Sequence, residues 1–364
     1  MTLFGNNSIK WSKFTSQNIL LFTSLIKLYN PKMNNNISFL LEEEKKNIIK
    51  YIKNHLNLKI IIKLLSNSYI NQLKLKKRLL NYAKSIFVDT KKLVTQLPQL
   101  NKTYIIIWKN NKIIIKSNTY PQLLKRIKIL IFIIEYIKEK ICAPNNRSIT
   151  IYLVLSKLEK KFPNSNDIIS SKNVNSGYCN LKTNVIFIWR KEEVEKVLFH
   201  EMIHHYNFTN HLVEFQFPIN FLINGPTNYY EAIADFWGIF YNLIYLSLVS
   251  NISVKKLFIL EFCFIKNQAL QLNNFFNLNW KNIKLNIINQ NTAAFSYYIL
   301  KYLLIEYLLY NKSEILFKFI KDNIIFDSEV YYIEYNNIFN KLNIIKDDKY
   351  IKINSIRMTL LELN

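Results

Sequence analysis

Two hydrophobic periodicities divide this chain. Residues 1 to about 100 carry apolar positions at helical spacing, with helices predicted near 38 to 65 and 69 to 95 and polar Asn and Ser between them. From Thr103 the pattern changes: TYIIIWKNNKIIIKS is two β-branched runs around Lys109-Asn110-Asn111-Lys112, which predicts a hairpin whose turn uses the tolerance of Asn for positive φ. LLKRIKILIFIIEYIKEKI, after Pro121, is too long and too apolar for a surface strand and predicts a helix packed on a sheet. SITIYLVLS at 148 to 156 reads as a strand, and SGYCN at 176 to 180 and NVIFIWR at 184 to 190 read as two short ones. KEEVEKVLFHEMIHHY then has a helical pattern, with Glu192 and Glu193 expected in its first turn, where the helix dipole favours negative charge. Beyond residue 226 the pattern is mainly helical.

The expected class is therefore α+β. It comprises a basic, mainly helical region over 1–100, an α/β subdomain with a small mixed sheet, backing helix and active-site helix over 101–225, and a mainly helical subdomain over 226–364. With 364 residues, half of them hydrophobic, a sizeable core can form. The uncharged stretch FWGIFYNLIYLSLVSNISV at 236 to 254 is long enough to suggest a membrane span. Its Asn, Ser and Gly content favours a buried helix instead, and no span is predicted. NILLFTSLI near the N-terminus has no clear small-residue cleavage site, which makes a targeting peptide the lesser reading.

Charge alters this picture in one respect. Residues 1–150 hold 27 Lys and Arg against 6 Asp and Glu, whereas residues 151–364 hold 22 against 19. A basic first part suits nucleic acid or an anionic surface as a partner. Only five of the 49 basic residues are Arg, however, and Lys, Asn and Ile abound throughout as in an AT-rich genome. The three cysteines, Cys142, Cys179 and Cys263, are too few and too scattered for a disulfide framework. A reducing intracellular compartment or a virion is the expected setting, with secretion left open.

The candidate chemistry lies in FHEMIHHYNF, residues 199 to 208, which holds three of the five histidines. His200 and His204, four apart, share one helix face and can offer imidazole nitrogens to one metal ion. Glu201, rotated about 100° from His200, would stand beside that ion without ligating it. Zinc-assisted hydrolysis needs this arrangement, because zinc lowers the pKa of a bound water to about 7 and a neighbouring carboxylate takes the proton. No histidine follows His211, so a third protein ligand should be a carboxylate: Glu214, Glu231 or Asp235. Glu231 is favoured, because Asp235 lies one turn further along the same face and could accept the outer N–H of a ligating histidine. Residues 201–250 contain no Lys or Arg and four acidic residues, a favourable field for a divalent cation, and Gly177, Gly225 and Gly238 all flank the site. His205 has no role beyond being a neighbour.

His200-Glu201-x-x-His204 followed by Glu231-Ala232-Ile233-Ala234-Asp235-x-x-Gly238 resembles the gluzincins, the thermolysin-like zinc peptidases with a glutamate third ligand. The resemblance covers roughly residues 175 to 240. It implies a zincin-like catalytic domain, one zinc per chain on His200, His204 and Glu231, Glu201 as general base, Asp235 behind the ligands, and a peptide or protein substrate. Tyr230 stands where thermolysin-like members often have Asn. More loosely, SGYCN, IWRKEEVEKVLFHEMIHH, FSYYILK and SIRMTLLEL look like segments of putative metallopeptidases of large DNA viruses.

A hydrolytic site also needs a donor for the developing oxyanion. Tyr297 and Tyr298, on a probable helix, are the candidates, Tyr298 slightly preferred. An extended peptide could add to a sheet edge, for which Ser176, Gly177 and Tyr178 are the candidate substrate contacts. The competing reading is a catalytically silent zinc-containing protein that binds nucleic acid or an anionic surface through its basic first part.

Overall fold

The computed structural model describes residues 10–29, 35–65, 69–85, 88–140, 148–164, 167–206, 222–225, 228–278, 287–310 and 350–363. Glu214, His211 and Cys142 lie outside them.

In chain order the elements are α1 (Lys13–Tyr29), α2 (Asn35–Asn54), β1 (Ile60–Leu64), α3 (Tyr69–Ala83), α4 (Thr90–Gln96), β2 (Lys102–Trp108), β3 (Asn111–Ser117), α5 (Leu123–Lys140), β4 (Thr150–Ser156), the short α6 (Ser171–Val174), β5 (Gly177–Asn180), β6 (Val185–Arg190), α7 (Val194–His205), β7 (Leu222–Asn224), α8 (Tyr229–Ser250), α9 (Val254–Phe275), β8 (Ile287–Asn289), a π-helical turn (Ser296–Leu300) and α10 (Lys301–Tyr310). The class is α+β.

Six strands form one mixed sheet in the order β1-β2-β3-β4-β6-β5. β3, β4 and β6 run parallel, and antiparallel pairs close both sides. The inner strands β4 and β6 are apolar at most positions because helices cover both of their faces. Ile113, Ile115, Ile151, Leu153, Ile186 and Ile188 point into the main core with α5 and α7. The alternate residues Ile114, Tyr152, Val154, Val185, Phe187 and Trp189 meet Leu75, Leu79 and Leu93 of α3 and α4 in a second core.

The expected hairpin is β2–β3, closed where Trp108 pairs with Asn111. The positive φ falls on Lys109 (46°) rather than on an Asn. Glu135 of α5 explains how a lysine is held there: its carboxylate ion-pairs with Lys109 and accepts from Trp108 Nε1 at 2.9 Å. Side-chain bonds to the packed helix thus set the turn along with local propensity.

The first hundred residues differ from the expected helices in two places. The run predicted as helix to residue 65 ends at Asn54 and continues into β1, because Ile60–Leu64 finds an open sheet edge in β2. The segment 69–95 is two helices, with Asp89 capping α4 through Lys92 N at 3.4 Å. This region is joined to the rest of the fold through buried polar contacts. Glu44 of α2 ion-pairs with Lys140 of α5 at 2.8 Å, and Thr15 of α1 donates to the Leu360 carbonyl at 2.7 Å.

After the β6 strand, α8 packs against α7, α9 and the π turn pack against α8 and each other, and a small parallel pair, β7–β8, lies outside the main sheet. Tyr230–Ser250 is long and apolar enough to cross a membrane by length and composition, and nearly all of its most apolar stretch is buried in the protein. Residues 350–363 run extended through the same region, receiving side-chain bonds from Asn267, Gln268 and Gln271 of α9.

Candidate metal centre

α7 begins where β6 ends. Its N-cap is Glu193, in the left-handed region (φ 58°), so Glu192 and Glu193 stand just before the helix rather than in its first turn. The buried Glu193 carboxylate ion-pairs with Lys160 at 2.7 Å and accepts from the backbone of Met358 and Thr359. Helical spacing then places Lys196, His200 and His204 on one face, and that face meets α8.

The contact with α8 is close. A Cβ on Gly238 would stand 3.1 Å from His200 Cβ and 3.2 Å from its backbone N. Only the missing side chain lets the helices approach so far, and the approach brings Glu231 to the histidines. Asn228 caps α8 by accepting from Tyr230 N at 3.0 Å, and its own N–H donates to Ser296 Oγ at 3.2 Å. The start of α8 and the π turn are thereby tied together.

Three donor atoms converge. His200 Nε2 and His204 Nε2 are 3.1 Å apart, and each is 3.2 Å from Glu231 Oε2. Neighbouring donors on a tetrahedral ion held at about 2.0–2.1 Å lie about 3.3–3.4 Å apart, so the triangle matches such an ion within a few tenths of an ångström. His200, His204 and Glu231 form a group that could hold a metal ion. Asp235, buried, places Oδ1 3.3 Å from His200 Nδ1.

Electrostatics around the triangle are uneven. Burial pushes His200 down to about 3, against the hydrogen bond to Glu231 that favours its charged form. His204 is also disfavoured by burial, but the Glu231 carboxylate more than offsets this and raises it to about 9. Burial alone would raise Glu231; His204 and His200 beside it hold it well below the usual carboxylate range.

Glu201 stands one residue round the helix, and burial pushes its carboxyl up to about 8. A Cβ on Gly177 would lie 3.0 Å from Glu201 Oε1 and 2.8 Å from Val197 Cγ1, so the backbone of the edge strand β5 passes directly over the carboxylate.

Comparison with family models, with curated proteins and with solved structures finds no match.

The remaining candidates divide by strand and turn geometry. Side chains alternate along β5: Gly177 and Cys179 face α7, with Cys179 Sγ 3.9 Å from His205 Nδ1, whereas Tyr178 faces the second core and donates its hydroxyl to the Tyr82 carbonyl at 3.0 Å. Tyr178 is therefore turned away from the metal centre. Ser176 is buried, its main-chain oxygen accepting from Trp189 N at 2.9 Å. Tyr297 faces the centre: its ring lies 6.0 Å from that of His200 and its hydroxyl bonds to Glu231. Tyr298, preferred on sequence, points the other way, and its hydroxyl donates to the Ile356 carbonyl at 2.5 Å. The π turn determines which of the two adjacent rings reaches the site, a choice helical periodicity cannot make.

Sequence reading missed the groups behind Asp235. Lys196 ion-pairs with Asp235, and Lys301 Nζ is 2.7 Å from its Oδ2. The available signal was position: Lys196 is one turn before His200, and Lys301 closes FSYYILK. Arg357 is mostly buried, pairing with Glu192 at 2.9 Å and with Glu362.

Proposed function

We propose that this chain is a zinc-dependent metallopeptidase of the zincin-like, gluzincin type, which hydrolyses peptide bonds with Glu201 as the general base. The observation that carries the reading is the triangle of His200, His204 and Glu231 donors, with the buried Glu201 carboxylate on the helix that bears the two histidines. Zinc held by those three residues would supply a Lewis acid for water and for the scissile carbonyl.

The chain's own groups account for the proton traffic. The Glu201 carboxylate accepts a proton from the attacking water as hydroxide adds to the carbonyl carbon. It returns that proton to the amine as the C–N bond breaks. The Tyr297 hydroxyl, bonded to Glu231, is the proposed donor to the developing oxyanion, a reading its nearness to the donor triangle supports. β5 is the sheet edge, and Gly177 offers bare backbone next to Glu201, so an extended peptide can pair along it.

The test is Glu201→Gln, assayed for zinc content and for digestion of a peptide library with and without a chelator. The expected result is one zinc per chain, retained by the variant, with hydrolysis reduced by about 10² or more. Parent-like cleavage by the variant would exclude the mechanism.

A second reading, a zinc-containing binding protein without activity, draws on the exposed Lys74, Lys76, Lys77 and Arg78 of α3, which offer a basic surface to nucleic acid or an anionic membrane. It is distinguished by salt-dependent binding in a parent that digests no peptide.

A further inference from the structure

Asp235 has more partners than an orienting carboxylate needs. One oxygen suffices to accept the N–H of a ligating histidine. Here Oδ1 faces His200 Nδ1 at 3.3 Å and also ion-pairs with Lys196, while Oδ2 lies 2.7 Å from Lys301 Nζ. All of these side chains are almost wholly buried. Met358 closes the arrangement from behind: its carbonyl accepts from Lys301 at 3.2 Å and its Sδ lies 3.3 Å from Lys196 Nζ. Met358 is itself anchored through its N–H to Glu193, the residue that caps α7.

Placing two ammonium groups out of water is costly unless each is paired. Burial disfavours the charged form of both lysines, and for Lys196 the neighbouring Lys301 adds to that effect; Glu193 and Glu261 oppose it without restoring the ordinary lysine range. A carboxylate with one partner can rotate about its terminal torsion. With a lysine Nζ on each oxygen, its plane is set.

We propose that Lys196 and Lys301 are positioning residues of the metal centre, which, backed by Met358, hold both oxygens of Asp235 so that His200 keeps its Nε2 in the donor triangle. The proposal rests on the reading of His200, His204 and Glu231 as metal ligands. Positioning and simple charge predict opposite signs. Loss of a positive charge near a cation would tighten metal binding, whereas loss of the clamp would weaken it.

The experiment uses the full chain loaded with cobalt(II), comparing the parent with Lys301→Met, Asp235→Asn and the double variant. It follows the visible spectrum of the ion, its rate of loss to a chelator, and melting of the metal-free proteins. The expected result is that Lys301→Met releases cobalt at least about tenfold faster with an altered spectrum, and that in the Asp235→Asn background Lys301→Met adds less than about twofold. Unchanged or slower release from Lys301→Met overturns the proposal, as does a full additional effect in the Asp235→Asn background. Should Lys301→Met fail to fold, Asp235→Asn and the double variant, which removes both charges of the pair, are compared by the same criterion. A parent that takes up no cobalt overturns the metal-ligand reading and the clamp with it; a parent that holds cobalt beside an unaffected Lys301→Met overturns the clamp alone.

Discussion

Gly177 of the edge strand β5 and Glu201 of α7 are in such close approach that a single added methyl would stand 3.0 Å from Oε1 of the carboxylate. The same methyl would meet Val197 at 2.8 Å, where something must shift. Gly177→Ala is expected to cost about 1–3 kcal/mol, the range for overpacking a core. Under the proposed mechanism it should reduce hydrolysis while leaving metal content unchanged, because the displaced groups are the proposed base and a core valine rather than the proposed ligands. Parent-like turnover at parent-like stability would show that β5 yields freely at this point.

Gly238 makes the corresponding contact on the other side of α7. Its Cβ would press on His200 at 3.1 Å, and the simplest relief is to move α8, and Glu231 with it, away from the histidines. Gly238→Ala should therefore lose metal affinity, read as faster chelator capture. Undiminished metal retention would mean that the helices do not separate.

Tyr297 and Tyr298 are neighbours in sequence with separable tasks. Tyr297→Phe is expected to lower kcat by about 10²–10³ if its hydroxyl serves the oxyanion, with little change in melting temperature. Tyr298→Phe leaves the buried Ile356 carbonyl without its donor and should cost about 1–3 kcal/mol of stability, with kcat preserved. Kinetics and melting of both variants decide the matter, and a reversed pattern would reassign the two rings.

Metal removal gives a measurement independent of activity. An ion that binds only the folded chain stabilises it by about 4 kcal/mol when present at a thousand times its Kd. A chelator should therefore lower the melting temperature of the parent, and it should leave a Glu231→Ala variant unmoved. Equal shifts in both would place the ion elsewhere.

The buried pair of Glu44 and Lys140 connects the N-terminal helices to α5, with Tyr136 donating to the same carboxylate at 3.1 Å. Glu44→Gln strands a buried ammonium and is expected to destabilise the whole chain by about 3–5 kcal/mol. Urea unfolding followed by probes in the first and last thirds tests this. Loss confined to the first third would show that the helical region unfolds by itself.

Much of this protein is present in local pattern. Alternation and apolar runs predicted β2 through β6, and the helical stretch after Pro121 and the buried helix within 236–254, which ends at Ser250 with Asn251 as its cap, follow from length and composition. The i, i+4 spacing of His200 and His204, and of Glu231 and Asp235, reflects only the pitch of a helix, so both pairs were legible before any folding. That the two helices meet, so that Glu231 reaches both histidines, depends on an approach across Gly238 that no local pattern specifies. The same holds for β1, a strand because β2 offered it an edge, and for Tyr297, which faces the triangle of His200, His204 and Glu231 from a π turn. Asp235 acquired its lysines from one turn back on α7 and from the head of α10, and residue 358 closes over them from far along the chain. Helical pitch and strand alternation are local, and the sequence alone determines them; which faces meet is decided by packing between segments distant in sequence, where cavities, close approaches and buried charges have to be satisfied together.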